Sequence, residues 1–322
     1  MQIVLHPRNR EQKRESRVHP GEVFGLILLM WLALGLPLAR AADHSCGDGP
    51  AVVEVLGSGG PEMGDGRASS GYLVWMDGKA RVLVDMGSGS MLNFEQSGAD
   101  LTDLDVVLLS HLHVDHAVEL PTLVKASFFT DRRRDLPVWG PTGNQLMPPT
   151  RDFVQILFGP EGAYRYLSDF LDGDAAYRLL PGEVDAGSTS PTQVFENERF
   201  RVLAVGVNHG PIPALAWRVE TGQRTIVFSG DTSNSTNTLG AIADGADLLV
   251  AHHAIPESAE GIARKLHMPP SEIGRVAGEA KVGALVLSHR MKRTLGLEAQ
   301  TLELIRRSYG GPVTFAEDMA CF

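Results

Sequence analysis

The 322-residue sequence predicts an α/β fold, and three observations carry that prediction. Short apolar runs of strand length alternate with helix-length segments, the pattern that builds sheets flanked by helices. Residues able to do chemistry stand just past the ends of those runs, where one rim of a sheet would gather them. The composition, 43% apolar and 21% charged, is that of an ordinary folded domain with enough apolar surface for a core.

The first 41 residues differ from the rest. Arg8, Arg10, Lys13, Arg14 and Arg17 form a basic stretch, residues 23–36 are apolar, and Ala39-Arg40-Ala41 is a small-x-small site. That layout reads as a secretory signal over residues 1–41, leaving one domain over residues 42–322 in the periplasm or medium. The apolar run is short for a membrane span, so stable insertion is not expected after cleavage; an uncleaved anchor or a start further in is the alternative. Cleavage would remove six basic and three acidic residues, leaving 23 and 36 and a net charge of −13. Such a surface repels polyanions and argues against nucleic acid. The two cysteines, Cys46 and Cys321, lie at opposite ends of that domain. In an oxidising compartment they suggest one disulfide, with two free thiols as the alternative.

Residues 51–56 read as a strand. Gly57-Ser58-Gly59-Gly60-Pro61 follows as a turn whose spacing fits neither a Walker nor a dinucleotide loop. Residues 71–75 and 80–84 make a hairpin across Asp77-Gly78. Asp85 then stands on a glycine turn, placed to orient a neighbouring loop or simply to form the turn. A short helix over 91–96 precedes a strand over 106–109. Helices are expected over 120–129 and 148–171, with a strand ending at 138–141 between them. Phe153, Phe158, Tyr164, Tyr166 and Phe170 in the second are core residues or the wall of a cleft. Strands dominate residues 177–228, with 200–205 leading to His209, and 216–219 pairing with 225–228 before Gly230-Asp231-Thr232. Residues 246–250 lead to His252-His253, and residues 284–287 lead to His289. Helices close the pattern over 270–280 and 298–308.

The densest chemistry lies in LLSHLHVDHAVELP, residues 108–121, where His111, His113, Asp115 and His116 fall within six residues. Imidazole and carboxylate suit zinc, with iron or manganese as alternatives. Residues i and i+2 of an extended segment point the same way, so His111 and His113 grip one ion. Asp115 and His116, where the chain turns into a helix, reach a second. A His-rich surface loop is the bland alternative, and His209, Asp231 and His289 at later strand ends argue against it. Asp231, on a separate strand and a glycine turn, is the best bridging carboxylate.

These motifs resemble the metallo-β-lactamase superfamily, whose fold is a four-layer αββα sandwich of two mixed β-sheets flanked by helices. His111-Leu112-His113-Val114-Asp115-His116 matches HxHxDH at every fixed position, and His209, Gly230-Asp231-Thr232 and His289 follow in order. The resemblance covers nearly the whole chain after residue 41. It implies that His111, His113 and His209 bind one zinc, that Asp115, His116 and His289 bind the other, and that Asp231 lies between them. Within the superfamily, Leu120-Pro121 and the His267 to Glu272 segment are similar to the ribonuclease Z and arylsulfatase-like branch. There the extra histidine, here His267, assists the leaving group. Where ribonuclease Z pairs that histidine with a Glu, this sequence has His252 or His253, and no long basic, glycine-rich arm is present.

The resulting expectation is an exported binuclear zinc hydrolase of a small sulfate or phosphate ester. A metal-bridging hydroxide attacks, Asp115 steers its proton, and His267 protonates the leaving group. Asp85, His252 and His253 support the site from behind. A lactonase or other carboxylic-ester hydrolase, and a ribonuclease Z-like phosphodiesterase, are alternatives. A β-lactamase, which lacks the bridging carboxylate, and a non-catalytic zinc-binding protein are weaker ones. The sequence allows a homodimer.

Overall fold

Successive side chains of a strand point to opposite faces, so a strand that is apolar on both faces needs cover on both. The computed structural model, which describes Cys46 and residues 49–322, supplies that cover with four layers. The segment read as a signal, residues 1–41, lies outside the described residues. One mixed sheet has the order β1 (Val52–Gly57), β2 (Gly71–Met76), β3 (Lys79–Met86), β4 (Val106–Leu108), β5 (Leu136–Pro141), β6 (Leu179–Val184). It is antiparallel from β1 to β3 and parallel from β3 to β6. The second sheet runs through β7 (Thr192–Glu196), β8 (Phe200–His209), β9 (Ile212–Thr221), β10 (Thr225–Phe228), β11 (Leu248–His252), β12 (Ala284–Ser288) and β13 (Val313–Phe315). Its antiparallel half, β7 to β10, likewise gives way to parallel pairing from β10 onward.

The inner faces meet in one apolar layer. Val53, Val55, Tyr72, Val74, Val82 and Leu108 of the first sheet share it with Val202, Leu215, Trp217, Ile226, Phe228 and Val250 of the second. Each such buried aliphatic or aromatic side chain contributes about 1.5–3 kcal/mol of transfer free energy. On the outside of the first sheet lie α1 (Ser90–Gln96), α2 (Val114–Ala117), α3 (Leu120–Ser127), α4 (Thr150–Phe158) and α5 (Asp169–Asp172). Phe94, Leu120, Leu123, Val124 and Phe158 pack there against Leu73 and Leu83. On the outside of the second sheet are α6 (Thr238–Ala243), α7 (Ile262–Leu266), α8 (Pro270–Glu279) and α9 (Glu298–Arg306). Leu239, Ile273, Val276 and Ile305 cover Val205, Val227 and Leu249 there.

The single helix expected over 148–171 is instead broken into α4, a 3₁₀ turn at Arg165–Leu167 and α5. Gly159, Pro160 and Gly162 supply the break, because proline cannot donate into a helix and glycine ordering is costly. β8 and β9 form a long hairpin with His209 paired to Ile212, so His209 stands at its tip. The expected strand at 246–250 ends later, at His252.

The chain's last residues extend the first sheet: Phe322 N–H donates to Val53 O (2.8 Å) and Val53 N–H to Phe322 O (3.0 Å). This pairing brings Cys321 to Cys46, and the two form a disulfide with Cα atoms 5.7 Å apart and 275 residues apart in sequence. Closing so long a loop stabilises by at most about 5 kcal/mol on the chain-entropy argument. The Cys46→Ser/Cys321→Ser variant should therefore unfold at a clearly lower urea concentration. An unchanged midpoint would mean that the terminal strand pairing alone holds the ends.

Candidate metal centre

The site lies at the end of the sandwich where β4, β8, β10, β11 and β12 deliver their last residues. Leu215 N–H donates to Ser110 O (2.8 Å), tying the second sheet to the loop after β4. Two glycines make the close approach possible. A Cβ on Gly60 would sit 2.7 Å from the His289 ring, and one on Gly230, whose φ is +56°, would sit 2.6 Å from Leu215 O. Asp85 and His289 themselves hold left-handed backbone, with φ of 55° and 53°. Such conformations cost about 1–3 kcal/mol and persist where the surroundings impose them.

Three ring nitrogens converge at one position. His111 Nε2 lies 3.0 Å from His113 Nδ1, and His209 Nε2 lies 3.3 Å from the same atom. Beside them stands a second group. His289 Nε2 is 3.2 Å from Asp115 Oδ2 and 3.4 Å from Asp231 Oδ1, and His116 Nε2 is 3.5 Å from Asp115 Oδ2. Asp231 Oδ2 sits between the groups, 3.9 Å from His111, 3.6 Å from His209 and 3.7 Å from His116. His267 Nδ1 approaches the same oxygen at 3.8 Å. All of these side chains are buried except His113, which is half-buried and marks the opening.

The outer nitrogens of the rings are held by the protein. His116 Nδ1 donates to Asp85 Oδ2 (2.8 Å). Asp85 also accepts from the Ser110 backbone N–H (2.6 Å) and hydroxyl (2.7 Å), and Ser110 Oγ lies 3.1 Å from His111 Nδ1. His209 Nδ1 donates to Leu266 O (2.9 Å). Each bond fixes a tautomer whose remaining lone pair faces the cluster, the usual support behind metal-binding histidines. Asp85→Ala should accordingly lower zinc affinity by about 10–100-fold, read by competition with a chromophoric chelator. Unchanged affinity would reduce Asp85 to a turn former.

His252 and His253 separate at the end of β11. His252 Nδ1 donates to Asp231 Oδ1 (2.8 Å), and its Nε2 lies 3.0 Å from the Tyr72 hydroxyl, which is 2.8 Å from Ser288 Oγ. His253 points to the other face, with Nε2 3.4 Å from Thr301 Oγ1 and its ring near Phe315. The expected support from His253 is thus corrected by strand alternation. The structure pairs neither of the two with His267; His252 holds Asp231 instead. Tyr72 and Ser110 were not singled out from sequence. Tyr72 reads as a core residue of an apolar strand, and only its hydroxyl, which needs a buried partner, signals more.

The electrostatics call for a cation. Burial disfavours charge on His116, yet Asp85, Asp115 and Asp231 outweigh it and push its pKa well up; Asp231 and Asp115 likewise raise His289 against its burial. Burial would also raise Asp115 and Asp231, but neighbouring histidines hold both well below the ordinary carboxylate range. Burial keeps His111 and His113 neutral, with lone pairs available. Buried His116 Nε2 has no hydrogen-bond partner among the described residues. A donor set of imidazoles and ionised carboxylates around such an atom, where a metal ion would take the place of the proton on His116 and His289, fits divalent metal ions, zinc among them. Nearest-donor grouping sets His252 with His116, Asp231 and His289. We place it behind Asp231 rather than on an ion, because both its nitrogens are already engaged.

Two hollows are lined by cluster residues or their chain neighbours. A groove of about 670 Å³ opens at Asp115, between Val114 and the loop of Glu62, Met63 and Asp65. A cleft of about 560 Å³ lies between Asn208, Gly210, Ser233, Arg264 and Lys265.

A family model described as "Beta-lactamase superfamily domain" matches residues 80–290, a span that holds Asp85 and every donor named above. The ribonuclease Z of Haloferax volcanii is 29% identical over 301 residues, covering 82% of this chain and 92% of the relative. That of Mycobacterium sp. (strain KMS) is 30% identical over 248 residues, covering 74% and 83%. In fold, the chain is similar to the metallo-β-lactamase-fold protein YhfI from Bacillus subtilis (TM-score 0.65, 23% identity, 85% of this chain and 100% of that one). It is equally similar to human tRNase Z, short form (TM-score 0.65, 21% identity, 84% and 98%). The relatives named as ribonucleases overturn the expectation that a small molecule, and not nucleic acid, is the partner. Net charge was the wrong measure: it averages the whole surface, whereas charges further than about 8 Å away are largely screened at physiological salt. The chain belongs to the metallo-β-lactamase superfamily, in its ribonuclease Z branch.

Proposed function

We propose that the chain is a binuclear metal-dependent phosphodiesterase acting on RNA. The observation that carries the binuclear reading is Asp231 Oδ2, within 3.6–3.9 Å of ring nitrogens from both donor groups. The similarity to ribonucleases Z over most of the chain supports the diester. His111, His113 and His209 would hold one ion, Asp115, His116 and His289 the other, and Asp231 both, with zinc the first choice. Two such ions lower the pKa of water and offset charge developing on phosphoryl oxygens.

The chain's own residues supply the rest. Asp115, held ionised, accepts a hydrogen bond from the attacking water and orients it. Asp85 and the Leu266 carbonyl keep the rings aimed, and His252 keeps Asp231 aimed. Burial lowers the His267 pKa to about 3, so its imidazole is neutral at rest. An anionic phosphodiester bound beside it favours uptake of a proton from solvent; as the water oxygen bonds to phosphorus and its proton leaves by way of Asp115, His267 gives its proton to the leaving oxygen and that P–O bond breaks.

The chain is further proposed to be exported, a reading supported by its disulfide, which suits an oxidising compartment. Cell fractionation and N-terminal sequencing test that. For the activity, zinc-loaded protein is offered bis(p-nitrophenyl) phosphate, a 3′-extended tRNA precursor and nitrophenyl sulfate. Chelator-sensitive cleavage of the two diesters is expected. Turnover of the sulfate with neither diester cleaved would reverse the assignment.

A further inference from the structure

We infer that the cleft beside His209 and His267 is a second anion subsite, which takes a backbone phosphate next to the scissile one in a single-stranded RNA. This rests on the phosphodiesterase reading.

The cleft's lining residues are chain neighbours of the metal centre. Asn208 and Gly210 flank His209, Ser233 follows Asp231 by two residues, and Arg264 and Lys265 directly precede Leu266-His267. The cations are held to the site by their own backbone. Lys265 O accepts from Gly210 N–H (3.1 Å), and Leu266 O accepts from His209 Nδ1 (2.9 Å). A phosphate here would therefore sit one short step from the donor cluster.

Charge favours an anion. Arg264 is exposed, with one guanidinium nitrogen donating to the Glu257 carbonyl (3.1 Å) and 3.8 Å from its carboxylate, and exposed Lys265 forms no ion pair among the described residues. The acid lining the cleft, Glu272, is already bound by Arg275 (2.7 Å) and Asn234 (2.8 Å). Lys265 is thus open to a ligand, and Arg264 keeps further donors beyond the one engaged by Glu257, in a chain of net charge −10. The groove at Asp115 is different. It is lined by Glu62, Asp65 and Asp318, with Arg67 already paired to Glu317 (2.7 Å) and exposed Met63 and Val114 on its surface. An RNA strand crossing the metals would lay its phosphates on the Arg264–Lys265 side and its less charged parts on the other. Each phosphate neutralised on a single strand steepens the salt dependence of binding by about 0.7 in the log–log slope.

The test uses full-length zinc-loaded protein, wild type and Arg264→Gln/Lys265→Gln, a pair that keeps side-chain bulk. The probes are a hexaribonucleotide, for binding against salt and for cleavage, and bis(p-nitrophenyl) phosphate, whose single phosphate engages the metals alone. The variant should bind the hexamer at least about tenfold more weakly at low salt, with a slope shallower by about 1.4. Its kcat/KM should fall about tenfold more on the hexamer than on the small diester. An unchanged slope, or equal loss on both substrates, would overturn the subsite; equal loss with metal released would mean that α7 merely props His209. Wild type that cleaves neither diester would refute the phosphodiesterase reading, while the binding slope still decides the subsite.

Discussion

Asp231→Ala should lose at least one of the two metal ions and more than about 10³ of the turnover, the several kcal/mol that metal polarisation supplies. Its position explains the size of the effect. Oδ2 faces rings of both donor groups, and Oδ1 is held by His252 Nδ1 at 2.8 Å. Removing the carboxylate takes a shared negative charge from between two cations and leaves His111, His116, His209 and His289 facing one another. Asp231→Asn separates charge from shape, since the amide keeps the volume. It too should lose metal, because an amide oxygen does not offset two divalent ions. Metal content comes from elemental analysis of desalted protein, turnover from bis(p-nitrophenyl) phosphate. Full metal content in both variants would remove Asp231 from between the ions.

His267→Ala should keep both metals and slow cleavage by about 10²–10⁴-fold on a substrate with a basic leaving group. The imidazole is buried, and its Nδ1 lies 3.8 Å from Asp231 Oδ2 with no hydrogen-bond partner among the described residues. It stands at the cluster without the backbone-held geometry of His209. The loss should be large for an RNA 3′-oxygen and small for nitrophenolate, which leaves without a proton. The same fractional loss on both, with metals retained, would replace proton donation by positioning. Metal loss would make His267 a ligand, which its proximity to His209 and Asp231 also allows geometrically. His253→Ala is the comparison, since that ring lies against Phe315, away from the cluster.

Much of this was legible in the sequence because strand ends are a local signal. Four donors within residues 111–116, and single donors after later apolar runs, needed only the rule that such residues gather at one rim. The four-layer arrangement followed from the resemblance those residues carry. What escaped depends on geometry that no local pattern encodes. The strand before His252-His253 runs two residues further than its apolar run, and alternation then sends His252 to Asp231 and His253 away. Tyr72 reaches His252 across the inter-sheet layer from 180 residues away, and a backbone carbonyl, Leu266 O, aims His209. Neither contact has a sequence signature. The helix expected over 148–171 failed for a local reason, the Gly159-Pro160 break, that aromatic spacing masked. The polyanion argument failed because it summed charge over the whole surface, whereas a ligand meets only the charges near its site.

The claim that most else depends on is that one chain holds two metal ions at this cluster. Wild-type protein is loaded with zinc, passed over a desalting column and assayed for metal per chain, beside the Asp231→Ala and His116→Ala variants. The account predicts about two zinc ions for wild type and a loss of at least one in each variant. Wild-type protein that is folded yet retains no zinc, iron or manganese after loading would contradict it.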